Sequence, residues 1–189
     1  MLRINAELLL RVLKQIKATP ERWQQKAWVT LPLPLSPELC GTKFCFAGWA
    51  AYFSGYAHEW GLEPGRTYVD LLPPETQQAL ALHPDAPKYS FALPNGRTVV
   101  HVSMIASAVL GLDAMQASAL FDAFNTLEDL EDIVGALIKL QEERDAMEAL
   151  KAAYRDAGDL KERDAAADAI VAEATAILER AVPTEPALV

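Results

Sequence analysis

Hydrophobic positions recur every three or four residues in two parts of this 189-residue chain. The first part runs from Asn5 to about Ala18 and predicts an amphipathic helix with Asn5 as its N-cap. The second runs from residue 126 to 182 and is interrupted at Gly158-Asp159. Because Gly158 would end one helix and Asp159 would cap the next, this part predicts a long antiparallel helical hairpin.

The densest apolar run lies between these two parts and carries no periodic pattern. It predicts a helix from Phe44 to Ser54, with Thr42 as its N-cap and Gly55 at its C-terminal end. A helix that is apolar on all sides is buried in a core or spans a membrane. This segment is much shorter than the roughly twenty residues that span a bilayer, so we expect a central core helix.

Turn residues in the middle of the chain predict a small sheet. The runs Tyr89–Leu93 and Arg97–His101 flank Pro94-Asn-Gly, and Asn-Gly between two β-type runs is typical of a hairpin. Thr67–Leu71 is a candidate third strand. Short helices are expected over residues 74–81, 103–110 and 113–124, the last two capped by Ser103 and Asp113.

These elements predict a mostly α protein with α+β character. Residues 1–125 would form a compact domain around the Cys45 helix, with one small β-hairpin or three-stranded antiparallel sheet. Residues 126–182 would form the helical hairpin, and residues 183–189 a loose tail. The hairpin is long for a core of this size, so we expect part of it to project or to pack on a second chain as a homodimer.

Charge separates the two ends of the chain. The net charge is −9, yet residues 1–60 hold seven basic and four acidic side chains, and no Lys or Arg lies between Arg97 and Lys139. Binding to duplex nucleic acid requires clustered basic residues, so we do not expect it. The basic face of the first helix is expected to be solvated, or to contact an acidic partner such as this protein's own C-terminal region.

The N-terminus does not have the pattern of an export signal. Residues 1–15 alternate in charge, and no stretch of the chain is apolar for the length of a membrane span. We therefore expect a cytoplasmic protein with no membrane contact. Thiols are normally reduced there, which disfavours a structural disulfide.

The two cysteines, Cys40 and Cys45, have several interpretations. The first interpretation is that both are buried or half-buried thiols that pack as small apolar side chains. A disulfide would require Cys40 to lie in a loop, because a spacing of five along a helix is too far to bridge. The spacing Cys40-x4-Cys45-x12-His58 copies part of a zinc finger, with Glu63 as a further ligand, and makes zinc the only cofactor candidate.

A fourth interpretation makes Cys45 a catalytic nucleophile. A helix N-terminus lowers the pKa of a thiol, and His58 or His101 would then serve as the general base. The sequence does not fix this geometry. The alternatives to a simple buried thiol are therefore a thiol-dependent enzyme centred on Cys45 and a small zinc-stabilised module.

A sequence resemblance begins at the same cysteines. Cys40-Gly-Thr-x-x-Cys45-Phe-Ala-Gly-Trp-Ala resembles a motif of small uncharacterised bacterial and phage proteins, and Leu110-Gly-Leu-x4-Ala117-x2-Leu120-Phe121 is similar to a segment that accompanies it. The resemblance covers roughly residues 20 to 130. It implies a shared fold and a phage or bacterial origin. It implies no activity, and no catalytic residue is transferred by it.

The acidic helical hairpin is the main functional candidate in the sequence. No phosphate loop, nucleophile elbow or histidine-rich metal motif is present. We therefore expect a non-enzymatic, cytoplasmic interaction protein, encoded by a phage or prophage, that binds a host or viral protein through the hairpin. Seven acidic residues are the expected partner-binding positions: Glu128, Asp129, Glu131, Asp132, Glu142, Glu143 and Asp145.

Overall fold

A computed structural model describes residues 2–30, 43–57, 59, 62–157 and 160–181 of the chain. The chain divides into two compact units, Met1–Leu137 and Ile138–Val189. This division lies inside the first helix of the C-terminal hairpin, whereas the domain boundary expected from the sequence lies just before that helix. The two units are described separately below.

The first helix, α1, spans Ala6–Ala18. Asn5 caps it as predicted, because its side-chain oxygen accepts a hydrogen bond from the Leu8 backbone N–H (3.0 Å). The backbone N–H of Asn5 also donates to the Leu110 carbonyl (2.9 Å), so the cap fastens α1 to a later part of the chain. The apolar face is buried as the periodicity predicts: Leu9, Val12, Leu13 and Ile16.

Two short antiparallel strands precede the central helix. β1 is Val29–Thr30, β2 is Lys43–Phe44, and α2 spans Phe46–Phe53. The predicted start of the helix at Phe44 is wrong, because pairing with Val29 holds Phe44 in an extended strand. Thr42, the predicted N-cap, lies outside the described residues, and the N-cap is Cys45 instead. The burial predicted for α2 is confirmed for Phe46–Ala51 and is wrong for Tyr52, which is 47% exposed.

A three-stranded antiparallel sheet lies in the middle of the chain, as predicted. β3 is Arg66–Tyr68, β4 is Ser90–Ala92 and β5 is Thr98–His101, and β5 lies between the other two. The hairpin turn between β4 and β5 contains Gly96, whose φ of +80° fits the Asn-Gly signal. β3 ends earlier than predicted, because residues 69–71 form one turn of 3₁₀ helix.

Helices flank the sheet in the sequence. α3 spans Pro74–Leu82, and α4, Ala86–Tyr89, leads directly into β4. α5 spans Val102–Leu110 and α6 spans Ala114–Leu120, which is shorter than the predicted extent to Phe124.

Of the two caps predicted for α5 and α6, the cap of α6 is confirmed and the cap of α5 is wrong. Asp113 caps α6 as predicted and forms a reciprocal capping box with Gln116. Ser103 does not cap α5. That position is taken by His101, whose Nδ1 accepts a hydrogen bond from the Ser103 backbone N–H (3.2 Å). The imidazole of His101, the last residue of β5, therefore caps the helix that follows.

The core of the first unit lies where α5 packs against α2 and α3. Gly111, at the C-terminal end of α5, has a φ of +68°, and a Cβ there would lie 1.8 Å from the Arg3 carbonyl oxygen. Only glycine permits this approach of the N-terminal segment. Large side chains that are fully buried include Phe46, Leu9, Ile16, Ile105, Leu110 and Val99.

Two long helices complete the chain: α7, Leu127–Asp156, and α8, Leu160–Ala181. Thr126 caps α7, because its hydroxyl accepts from the Asp129 N–H (3.2 Å) while the Asp129 carboxylate accepts from the Thr126 N–H (2.7 Å). The predicted break at Gly158-Asp159 lies outside the described residues. The predicted fold class, mostly α with a small three-stranded antiparallel sheet and long C-terminal helices, is confirmed, and the antiparallel packing of α7 on α8 stays a prediction.

Among the described residues, no single helix has both the length and the apolar composition to cross a membrane. α5 and α6 meet those criteria only when they are taken together, and they are bent by 113° at the break between them.

Candidate functional site

Cys45, the candidate nucleophile, lies at the N-terminus of α2 and is only 1% exposed. Its Sγ accepts a hydrogen bond from the Gly48 N–H (3.4 Å), and the thiol donates to the Trp28 carbonyl (3.8 Å). Burial raises the pKa of Cys45 to about 11, since desolvation outweighs the hydrogen bonds that favour the thiolate. The expected lowering of the pKa by the helix N-terminus is therefore wrong, and the group is a neutral thiol at neutral pH.

Gly48 explains why the start of α2 lies so close to the chain before β1. A Cβ at this position would lie 2.3 Å from the Trp28 carbonyl oxygen, a distance that real Cβ contacts do not reach. The same carbonyl accepts the hydrogen bond from the Cys45 thiol. Cys45 and Gly48 are three residues apart, and both lie against the Trp28 carbonyl. This contact packs the start of α2 against the chain before β1 and is structural.

His101, a candidate base for Cys45, makes its contacts elsewhere. Its Nδ1 lies 2.8 Å from the Ser103 hydroxyl and also accepts from the Ser103 N–H. Burial is the main cause that lowers the pKa of His101. Its ring meets the Trp28 indole edge to face, with centroids 5.1 Å apart. Within the described residues, Cys45 and His101 each contact Trp28, and no hydrogen bond joins them to one another.

The zinc hypothesis involves residues that the structure does not describe. Cys40 and His58, two of its ligands, lie outside the described residues. Among the residues that the structure does describe, no group of three or more His, Cys, Asp or Glu side chains could hold a metal ion. The zinc site remains a prediction.

Gln25 is a buried polar side chain that the sequence analysis did not identify. Its amide nitrogen donates to the carbonyls of Leu120 (3.2 Å) and Asp122 (3.1 Å). Its amide oxygen accepts from the Phe46 N–H (3.1 Å) and from the Trp23 indole N–H (3.1 Å). Gln25 therefore joins the start of α2 to the end of α6. No local pattern marks a glutamine for this role.

The seven acidic residues predicted to bind a partner all lie on α7, six of them exposed and Glu143 half-buried. Four precede the division between the units and three follow it. Two of them make hydrogen bonds that serve the helix itself: Asp129 completes the capping box with Thr126, and the Asp145 carboxylate accepts from the Gln141 amide (2.8 Å). Glu131 pairs with Lys17 of α1 (2.6 Å), which agrees with the second of the two interpretations of the basic first helix, contact with an acidic part of the same chain.

The second unit, residues 138–189, buries very little of its surface. Among the side chains that the structure describes there, Gln141 alone is buried. Val171 is 65% exposed and Tyr154 is 41% exposed, although both are large apolar side chains on helices. Further apolar residues of this unit are only half-buried: Ile138, Leu140, Met147, Leu150 and Ile170.

The first unit contains a cavity of about 330 Å³. Its walls come from the chain before β1, the connection between α3 and α4, the helices α5 and α6, and the turn after α6. Because these segments are distant in the sequence, no spacing of residues predicted the cavity. The signal nearest to it was the second motif segment, from Leu110 to Phe121, because two of its residues, Ala117 and Phe121, line the cavity.

No protein-family model matches this chain, and no match was found among curated proteins or among solved structures.

Proposed function

We propose that this protein is a non-enzymatic, cytoplasmic interaction protein that binds a host or viral protein through its C-terminal helices. Its encoding by a phage or prophage is part of the proposal and rests on the sequence resemblance at Cys40 and Cys45. The partner surface would combine the exposed apolar side chains of residues 138–176 with the acidic residues of α7.

The incomplete burial of the second unit is the observation that carries the proposal. α7 has 30 residues and α8 has 22, and such helices gain most of their stability from the packing of an apolar face. Here 41% of Tyr154 and 65% of Val171 remain in contact with water. Covering two such side chains with a partner removes apolar surface from water, worth roughly 25 cal/mol per Å².

The acids of α7 would contribute to partner selection more than to affinity. Exposed carboxylates such as Glu142 lie on the same helix as Tyr154. Charges at the rim of an interface mainly steer association and reject partners of like charge. A partner with a basic rim around an apolar centre fits this arrangement.

The experiment compares three forms of the full chain as baits in a lysate of a bacterial host. The test variant carries Tyr154→Glu and Val171→Glu. The matched control, Ala169→Glu, adds a negative charge on nearly the opposite face of α8 from Val171, where the native alanine is exposed. We expect the wild type and the control to retain the same partner and the test variant to lose it.

Native mass spectrometry of the purified wild type should be run first. A dimer that the Tyr154→Glu, Val171→Glu variant abolishes would assign the surface to a second copy of this chain. Partner capture that is equal in all three forms would contradict the proposal.

A further inference from the structure

The cavity of the first unit has walls suited to one class of ligand. Its volume of about 330 Å³ falls at the lower end of the roughly 300–1,000 Å³ range of small-molecule sites. Three aromatic residues line it: Trp28, Tyr89 and Phe121. Two carboxylates, Asp85 and Asp122, line it as well, whereas no Lys or Arg is among its described lining residues.

The aromatic rings form a corner. The Trp28 and Phe121 rings are nearly perpendicular, at 85°, with centroids 6.4 Å apart. Phe121 is almost fully buried, and Tyr89 is 56% exposed, so the aromatic lining extends from the protein interior to solvent. The face of an aromatic ring is electronegative and attracts a cation that has lost part of its hydration shell.

The carboxylates add negative charge to the same cavity. Asp122 accepts a hydrogen bond from the Phe124 N–H through Oδ1 (2.8 Å), which fixes the carboxylate and leaves Oδ2 for a ligand. Asp85 is bonded to Lys88 (2.6 Å), whose side chain is 70% exposed and lies outside the lining. The imidazole of His83 and hydroxyl groups of α5 and α6, such as that of Ser118, supply the remaining polar lining.

We propose that this cavity binds a small organic cation with a substituted ammonium group. The ammonium would lie against the rings of Trp28 and Phe121, with the carboxylates of Asp85 and Asp122 balancing its charge. A neutral ligand of the same shape would gain the apolar contact and lose the attraction to the rings and carboxylates. This proposal concerns the first unit and is independent of partner binding by the C-terminal helices.

Calorimetric titration of the full chain tests the proposal directly. The probes are tetramethylammonium, choline and benzyltrimethylammonium, together with dimethylbutanol, the neutral carbon isostere of choline. We expect saturable binding of at least one cation, and choline or its larger analogue should bind at least tenfold more tightly than the neutral isostere.

Substitutions then locate the site. The double variant Asp85→Asn, Asp122→Asn keeps side chains of the same shape, and an asparagine oxygen can still accept from the Phe124 N–H. It should weaken cation binding at least tenfold and leave binding of the neutral isostere unchanged. Asp164→Asn, at an exposed position of α8 that is not among the lining residues of the cavity, removes a like charge and should have no effect.

Ser118→Phe gives a second route that does not depend on the aspartates. Ser118 is an exposed residue of α6 that lines the cavity, so a phenylalanine there fills the space without disturbing the core. It should abolish binding, with the circular dichroism spectrum unchanged. The proposal is overturned if no cation binds saturably, if the isostere binds as tightly as choline, or if cation binding survives both variants.

Discussion

Replacing Gln25 by methionine removes four hydrogen bonds and keeps nearly the same side-chain volume. Gln25 is 8% exposed, and its partners lie on the chain before β1, at the start of α2 and after α6. Two of the four contacts, those to the Phe46 N–H and to the Leu120 carbonyl, are buried. Methionine leaves the Phe46 N–H without a partner, whereas the Leu120 carbonyl keeps its bond from the Asn125 side chain (3.2 Å). Water reaches the partly buried Trp23 and Asp122 groups.

The expected loss of stability follows from these two classes of contact, the buried and the partly buried. An unsatisfied buried polar group costs about 1–3 kcal/mol, and a hydrogen bond that water replaces costs roughly 0.5 kcal/mol. We therefore expect Gln25→Met to lower the free energy of unfolding of the first unit by about 3 kcal/mol. With a urea m-value of roughly 2 kcal/mol/M, the unfolding midpoint falls by about 1.5 M.

Tryptophan fluorescence is the suitable assay, because all four tryptophans of the chain lie before residue 138 and report on the first unit. Gln78→Met is the matched control, since Gln78 is an exposed residue of α3. We expect the control to keep the wild-type midpoint. A Gln25→Met midpoint within 0.25 M of wild type, or roughly 0.5 kcal/mol, would refute the assignment of Gln25 as the link between α2 and α6.

Three further predictions concern the central helix and the proposed partner surface. Iodoacetamide should label Cys45 slowly in the folded protein at pH 7.5 and quickly in urea, because burial raises the pKa of Cys45 to about 11; fast labelling of folded protein would contradict this. Gly48→Ala should lower stability by about 1–3 kcal/mol in urea unfolding, since the new Cβ overlaps the Trp28 carbonyl, and a stable variant would contradict that contact. Replacing three acidic residues of α7 by lysine, Glu142, Glu143 and Asp145, should reduce partner capture severalfold in low salt. Unchanged capture would exclude these acids from the interface.

The elements that local chemistry determines were predictable from the sequence. Asn5 and Asp113 cap their helices because a short polar side chain reaches the free N–H groups of the next turn. The Asn-Gly turn places β4 against β5 for an equally local reason. Hydrophobic periodicity was sufficient to predict α1 and its buried face, since both depend on the residues of the helix itself.

The errors occur where a distant segment decides the local structure. Phe44 lies next to an apolar helix and fits its pattern, yet pairing with Val29 makes it a strand residue. His101 replaces Ser103 as a cap because β5 brings the imidazole over the first turn of α5. Gln25 and the cavity were not predictable for the same reason, since their contacts join segments almost a hundred residues apart.

The cysteine motif is best explained by the junction at the start of α2. The thiol of Cys45 takes the N-cap position, Gly48 admits the Trp28 carbonyl, and the Phe46 N–H donates to Gln25. Each of these residues meets a steric or hydrogen-bonding requirement of the fold. The presence of a buried neutral thiol at Cys45 is therefore explained without a chemical role. A resemblance that rests on this motif therefore indicates a shared way of packing one helix against the chain before β1. The ligand and partner binding that we propose would then lie elsewhere, in the cavity and on the C-terminal helices.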